Sequence, residues 1–322
     1  MSTTPLPRQS SSSLPRQSST ARSSRWWSRS RRTLTGILYV LPFAVVWAVF
    51  LVWPVIYGFY ISLWQWDPLR GSTFVGLGNY VRLVNTERFV NATVNTFYFA
   101  FLSIPLIVAI GLLFAVLLHG QRFPGKRVVE AGLFFPYLLN VSIISLIWMW
   151  LMDSDFGILL VFFERLGWRA PSFLNHEAWV IPAIAIATAW WLMGYRMVIF
   201  QAALRDINPS ILEMAEIDGA SHWQRTLYIM LPLLKPAILF TTVLTIIFGF
   251  QVMGQVLIMT QGGPGRSSEV LVLYLYRLGF DFLRMGQAAA VGFMLFVIIL
   301  ILALASFRFL GLDSEQQRGA RR

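Results

Sequence analysis

The sequence predicts an all-α integral membrane protein of six transmembrane helices, with a polar helical hairpin between the fourth and the fifth. Three observations carry this prediction. Of 322 residues, 57% are hydrophobic and only 13% charged, with a mean hydropathy of +0.63; a water-soluble domain with so little charge could not cover its apolar surface. Six stretches are long enough to cross a hydrocarbon core, which takes about 20 helical residues. One segment between two of them, Glu213 to Pro236 (EMAEIDGASHWQRTLYIMLPLLKP), is polar and turn-forming.

In chain order, residues 1–33 are rich in Ser, Arg and Pro and repeat LPRQSS at Leu6 and Leu14, a composition that predicts a disordered basic tail. Arg25, Arg29, Arg31 and Arg32, with Trp26 and Trp27, suit an anionic membrane surface; beside a membrane span, lipid and not nucleic acid is the expected contact. Arg31-Arg32 resembles a twin-arginine signal, but the apolar run that follows is too long, contains Trp47, Trp53 and Pro54, and lacks a small-x-small cleavage site. It is read as a retained first helix.

The expected spans are residues 34–63, 92–118, 128–152, 179–204, 237–259 and 287–310, leaving 311–322 as a C-terminal tail. With the N-terminus inside, seventeen of the 26 Lys and Arg fall on inner segments, counting Arg308 at the inner end of the last span, and eight on outer ones, with Arg196 in the interior of a span. Cytoplasmic flanks are enriched in Lys and Arg, so both termini and the hairpin are expected in the cytoplasm, with the chain multi-pass.

Cys is absent, and His119, His176 and His222 lie far apart without metal-ligand spacing. Gly120 to Arg127 comes one residue short of a phosphate-binding loop: Arg127 replaces the Mg²⁺-binding hydroxyl, Pro124 removes a backbone donor, and a membrane helix precedes it where a strand is needed. The chain is therefore expected to bind neither ATP nor Mg²⁺, and to draw energy from a partner.

The hairpin opens with Asn208-Pro209-Ser210, a helix-entry signal, and Ile211, Leu212, Ala215 and Ile217 alternate with carboxylates as in an amphipathic helix. Asp218-Gly219 breaks it, since glycine accepts the positive φ of a sharp reversal; a second short helix from Ser221 leads to Pro232 and Pro236. Glu213, Ala215, Asp218, Gly219, Ala220, Trp223, Leu231, Pro232 and Pro236 stand at the spacing of the EAA motif, and in this the chain resembles bacterial ABC importer permeases, although Met214 replaces the usual second alanine. Leu41-Pro42, Trp53-Pro54, Ser62-Leu63, Phe74 to Tyr80, Pro136-Tyr137, Ile147 to Asp153 and Thr260 to Pro264 extend the resemblance to the carbohydrate-uptake branch over roughly residues 36–310.

The resemblance implies a six-helix permease domain over 34–310 in a bacterial inner membrane, with residues 205–236 as a cytoplasmic coupling hairpin. It also implies partners: a second permease forming a heterodimer, two ATP-binding subunits that carry ATP and Mg²⁺, and an extracytoplasmic solute-binding protein. On this basis Glu213 meets a basic group of the ATPase, Ala215 and Ala220 permit close approach, Asp218 ends the helix and Gly219 holds the turn. The solute implied is a sugar or oligosaccharide, with glycerol phosphate, a glycerophosphodiester or a polyol as the alternative.

Sugars present hydroxyls and flat CH faces, so their sites combine amide or hydroxyl partners with aromatic platforms. Asn140, Trp148, Trp191, Tyr195, Gln251 and Gln255 are the candidate path residues. Each Trp serves equally as a lipid-interface anchor, and each amide as interhelical glue. Gln251 and Gln255, four apart, are expected on one helical face. Arg196 is expected either to snorkel to the inner surface or to pair with a carboxylate, not to bind solute.

Overall fold

The structure, a computed structural model, describes residues 38–66, 71–121 and 123–309. The expected tails, 1–33 and 311–322, lie outside the described residues. By internal contacts the chain divides into two units, Met1–Tyr57 and Gly58–Arg322.

The described part of the first unit is apolar helix, the start of α1 (Leu38–Ser62). A π-helical turn, Ala48–Val52, leads into Trp53–Pro54, with the Trp53 N–H bonded to the Ala48 carbonyl. Proline crowds the carbonyl four residues before it, and the wider turn accommodates the ring.

In the second unit a short ribbon, β1 (Trp64–Gln65) antiparallel to β2 (Thr73–Phe74), leads to α2 (Gly78–Val84). Buried Asn79 donates to the carbonyls of Ser62 (2.8 Å) and Trp64 (2.9 Å), and the Tyr80 and Ser62 hydroxyls lie 2.7 Å apart. Part of the Phe74–Tyr80 motif is thus a clamp on the end of α1.

The centre of the unit is the pair α3 (Glu87–Leu118) and α7 (Glu177–Arg205). Apolar side chains gain little by leaving lipid, so membrane helices associate by close packing of small residues. Along the seam Phe99 clusters with buried Ala183, Ala185 and Ala187, Ile107 with Ala189 and Leu192, and Ala115 with Met197, Phe200 and Leu204. At Gly111 an added Cβ would lie 2.7 Å from the Cβ of Arg196, and at Gly194 one would lie 2.1 Å from the Leu133 carbonyl oxygen; both helices approach their neighbours more closely than alanine allows.

The remaining elements are α4 (Lys126–Phe134) with a 3-10 turn Phe135–Leu138, α5 (Val141–Leu151), α6 (Ile158–Arg165), α8 (Pro209–Ile217), α9 (His222–Leu233), α10 (Lys235–Phe250), α11 (Gly254–Met259), α12 (Leu271–Tyr276) and α13 (Met285–Phe309). Among the described residues four helices are long and apolar enough to cross a membrane: α1, α3, α7 and Met285–Arg308 of α13. Two bent pairs raise the number to six if each counts as one span: Lys126–Leu138 with Val141–Leu151 at 103°, and His222–Leu233 with Lys235–Phe250 at 66°.

Two expected spans are therefore not straight helices. The stretch 128–152 breaks at Leu139–Asn140, because Pro136 tightens the chain into a 3-10 turn and Asn140 then caps α5 by accepting from the Ser142 N–H at 3.0 Å. The stretch 237–259 breaks after Phe250, with Gln251, Val252 and Met253 between α10 and α11.

The segment 260–270 is tied to the start of α3. Glu269, 1% exposed, accepts two hydrogen bonds from Arg88 (2.7 and 2.6 Å) and one from Arg277 (2.6 Å). Arg277 also donates to the Gln261 carbonyl, Asn95 donates to the carbonyls of Arg266 and Glu269, and the Leu271 N–H reaches the Thr96 hydroxyl. Burial pushes the Glu269 carboxyl up, but hydrogen bonds and charge from the two arginines outweigh it and hold the group below the usual carboxylate range.

Candidate functional site

Two features at different depths along α7 stand out: the reversal that follows its C-terminus, and a cavity beside its middle. In the reversal, Asn208 caps α8 by accepting from the Ser210 N–H at 3.1 Å, with Pro209 at the first helical position. Asp218 ends the helix, and Gly219 follows at φ +85°. The Gly219 N–H bonds to the Glu216 carbonyl and the Ala220 N–H to the Ala215 carbonyl, the two bonds of a Schellman stop. Ser221 then opens α9 with a capping box: its hydroxyl accepts from the Gln224 N–H, while the Gln224 side chain accepts from the Ser221 N–H. An ion pair between Arg225 and Glu216 braces the two helices. Caps at both helix starts, the two Schellman bonds and the ion pair tie this turn together although most of its side chains are exposed.

Its inner face is Leu212 and Ala215; Ile211 and Ile217, expected inside, turn outward, Ile217 being 85% exposed. Met214, Trp223 and Tyr228 are exposed beside them, as are Glu213 and Asp218. Beneath the hairpin is a pocket of about 290 Å³ lined by His119, Gly120, Gln121, Leu212, His222 and Arg225 among others. Burial, then the charges of Lys126 and Arg205, hold the His119 imidazole below its ordinary value.

The second feature is a cavity of about 420 Å³. From α7 it takes Thr188, Trp191, Tyr195 and Arg196; from the α10–α11 break, Gln251 to Gln255; from the bend before α5, Tyr137 and Val141. Tyr137 and Tyr195 stack at 4.6 Å between ring centres, 11° from parallel. Gln255, 2% exposed, accepts from the Thr188 hydroxyl at 2.8 Å through its amide oxygen, while its Nε2 has no partner among the described residues. The result is an apolar aromatic wall with a few amide and hydroxyl groups, a composition suited to a polar organic solute.

The sequence profile described as "Binding-protein-dependent transport system inner membrane component" matches residues 72–312. The chain belongs to this family, the permeases of ABC importers. It is 32% identical over 283 residues to the lactose transport system permease protein LacF of Rhizobium radiobacter, covering 85% of this chain and 92% of that one. Identity is 29% to the arabinooligosaccharides transport system permease protein AraP of Bacillus subtilis (85% and 88% covered) and 31% to the sn-glycerol-3-phosphate transport system permease protein UgpA of Rhizobium meliloti (84% and 93%). A chain from the crystal structure of a bacterial ABC transporter involved in import of the acidic polysaccharide alginate shares the fold, with a TM-score of 0.78 at 23% identity over 90% of this chain and 100% of that one.

In the permease, four of the six candidate path residues, Trp191, Tyr195, Gln251 and Gln255, meet at one cavity. The other two do not line it. Asn140 is exposed and acts as the α5 cap, and Trp148 packs edge-on against Trp190 at 5.8 Å in a core of α7 and α11 side chains. Gln251 and Gln255 do converge, but not on one helical face, because the break separates them: Gln251 ends α10 and Gln255 lies in α11. Ala215 is buried in its own chain, so any close approach by a partner would be at Ala220 and the exposed apolar residues. Arg196 neither snorkels nor pairs: it is 1% exposed and forms no ion pair among the described residues. Sequence reasoning passed over Tyr137, Thr188 and Arg196 as cavity residues; the Tyr137 and Arg196 positions depend on the bend at Leu139–Asn140 and on Gly111, both tertiary features.

Proposed function

We propose that this permease forms the path by which a sugar or oligosaccharide crosses a bacterial inner membrane, and that α8 and the start of α9 couple this movement to ATP hydrolysis by partner subunits. The observation that carries the reading is that one uninterrupted helix, α7, lines the cavity with Thr188 to Arg196 and ends at Arg205, three residues before the Asn208 cap. A force applied to the hairpin reaches the cavity through about 15 Å of helix. In this reading α4 with α5, and α10 with α11, each count as one span, which with α1, α3, α7 and α13 gives six spans with both termini and the hairpin cytoplasmic, in keeping with the Lys and Arg bias.

The chain itself is non-catalytic and binds neither ATP nor Mg²⁺; two ATP-binding subunits supply both, a second permease completes the path, and an extracytoplasmic binding protein delivers the solute. Glu213, Asp218, Gly219 and Ala220 form the docking edge, with Ala215 packing it onto the body. The lactose and arabinooligosaccharide relatives support a carbohydrate, and the sn-glycerol-3-phosphate relative keeps a glycerol phosphate, glycerophosphodiester or polyol as the second reading.

The test is uptake by the assembled complex in proteoliposomes. Gln251→Leu removes an exposed amide from the cavity wall and should lower carbohydrate uptake roughly tenfold, the size of one lost hydrogen bond of about 1 to 1.5 kcal/mol, with co-purification of the partners unchanged. Unchanged uptake with a less stable complex would instead make Gln251 interhelical glue and remove the cavity from the path.

A further inference from the structure

The cavity holds a fixed positive charge that nothing in the described chain neutralises. Arg196 lines it, is 1% exposed, and its Nε and Nη1 have no hydrogen-bond partner among the described residues. None of the lining residues is acidic. A guanidinium does not shed its proton in a protein, so burial cannot be relieved by neutralisation, and an unpaired charge inside a membrane-spanning helix is among the least tolerated arrangements in a fold.

What surrounds Arg196 holds it in place without satisfying it. Gly111 on α3 leaves room for its stem, since a Cβ there would lie 2.7 Å from the Arg196 Cβ. The guanidinium carbon sits 5.2 Å from the Tyr195 ring centre and 5.7 Å from that of Phe248. Aromatic faces attract the cation but offer no oxygen to its N–H groups. The Gln255 Nε2, a further buried donor without a partner, lines the same cavity. Unpaired donors and a planar cationic fork match an oxyanion, which a guanidinium binds through two parallel hydrogen bonds.

Resting on the reading of this cavity as the solute path, we infer that the solute carries an anionic oxygen group, a carboxylate or a phosphate, that docks on Arg196 and the Gln255 amide while its neutral part lies against Tyr137, Tyr195 and Trp191.

Three probes share one sugar scaffold: glucose, glucuronate and glucose 6-phosphate. Their binding to the purified intact importer, without its solute-binding protein, is measured by thermal stabilisation. One of the two anionic sugars is expected to bind roughly 10- to 100-fold more tightly than glucose, the range for a hydrogen-bonded charge; which of them does so separates carboxylate from phosphate. Arg196→Gln should abolish the preference, and Arg196→Lys, which keeps the charge but not the fork, should retain part of it. Equal affinity for all three probes in the wild type, with uptake still sensitive to Gln251→Leu, overturns the inference and leaves the path reading standing. A melting temperature lowered by Arg196→Gln with the preference intact also overturns it, and assigns the charge to a carboxylate of the second permease. No binding of any probe together with uptake insensitive to Gln251→Leu removes the path reading and the inference with it. Where Arg196→Gln does not assemble, the wild-type comparison decides alone.

Discussion

Around Glu269 the strong donors and acceptors turn inward, whereas around Glu213 they turn outward, and the two regions lie at opposite ends of α7. The 260–270 segment closes on its own chain: a carboxylate 1% exposed takes three hydrogen bonds from two arginines, and Asn95 and Thr96 of α3 bind its backbone. The hairpin satisfies its backbone just as fully, through the Asn208 and Ser221 caps and the Schellman stop, yet leaves Glu213, Ile217, Trp223 and Tyr228 exposed. Rigidity and completeness are therefore separate properties. One end is rigid and finished; the other is rigid and unfinished, as the proposed coupling role requires.

The largest expected effect breaks the finished end. Glu269→Ala removes the acceptor that Arg88 and Arg277 share and leaves Arg277 only the Gln261 carbonyl, and loss of one member of such a buried network costs about 3 kcal/mol or more. The purified permease complex should melt several degrees lower, and the lesion should not be rescued by adding the ATPase subunits. A melting temperature within a degree of wild type would mean that the arginines find water or other acceptors, and the contrast between the two ends would lose its energetic basis.

A smaller effect on stability, with a larger one on coupling, is expected at the unfinished end. Gly219 sits at φ +85° with open space around it, so a side chain there meets no neighbour and the penalty is purely that of the backbone. For a β-branched residue this is about 1–3 kcal/mol. Gly219→Val should therefore reduce solute-stimulated ATPase activity and uptake strongly while lowering the melting temperature less than Glu269→Ala does. Equal loss of stability in the two variants, or normal uptake in Gly219→Val at normal assembly, would show that the hairpin is not the lever.

The contrast was unevenly legible in the sequence. The hairpin could be read because its chemistry is local: caps, a glycine stop and prolines lie within about thirty residues, although the outward turn of Ile211 and Ile217, the burial of Ala215, the Ser221–Gln224 box and the Arg225–Glu216 pair escaped notice. The lock could not, since Arg88 and Glu269 are 181 positions apart and nothing in either neighbourhood marks the other. Hydropathy located α3 and α7 well but passed through the breaks at Leu139–Asn140 and Gln251–Met253, because apolar residues continue on both sides. Those breaks decide the site. They bring Tyr137 and Gln251 to the same cavity as Trp191 and Tyr195, and they explain why Asn140 became a cap and Trp148 a core residue. Arg196 was set aside on a general rule about long cationic side chains, which the close approach at Gly111 defeats.

Acid should distinguish the two ends by the pH at which each loosens. His119, beside the hairpin pocket, has its folded pKa lowered by burial and by Lys126 and Arg205. The folded state therefore favours the neutral ring, and its contribution is present above the unfolded value of about 6.5 and lost as pH falls through the lower folded value. Glu269 is also depressed, here because Arg88 and Arg277 outweigh burial; its contribution is present above the ordinary carboxylate range and lost only as pH falls below it. Lowering pH from 7.5 to 5.5 should thus reduce amide protection, measured relative to the intrinsic exchange rate at each pH, in the peptides around His119 and His222 and leave the protection of those around Gln261 to Leu271 unchanged. A His119→Gln variant should not show the difference between the two pH values. Lower protection of the 260–271 peptides at pH 5.5 than at pH 7.5 would mean that the outer lock is held by something other than the charged form of Glu269.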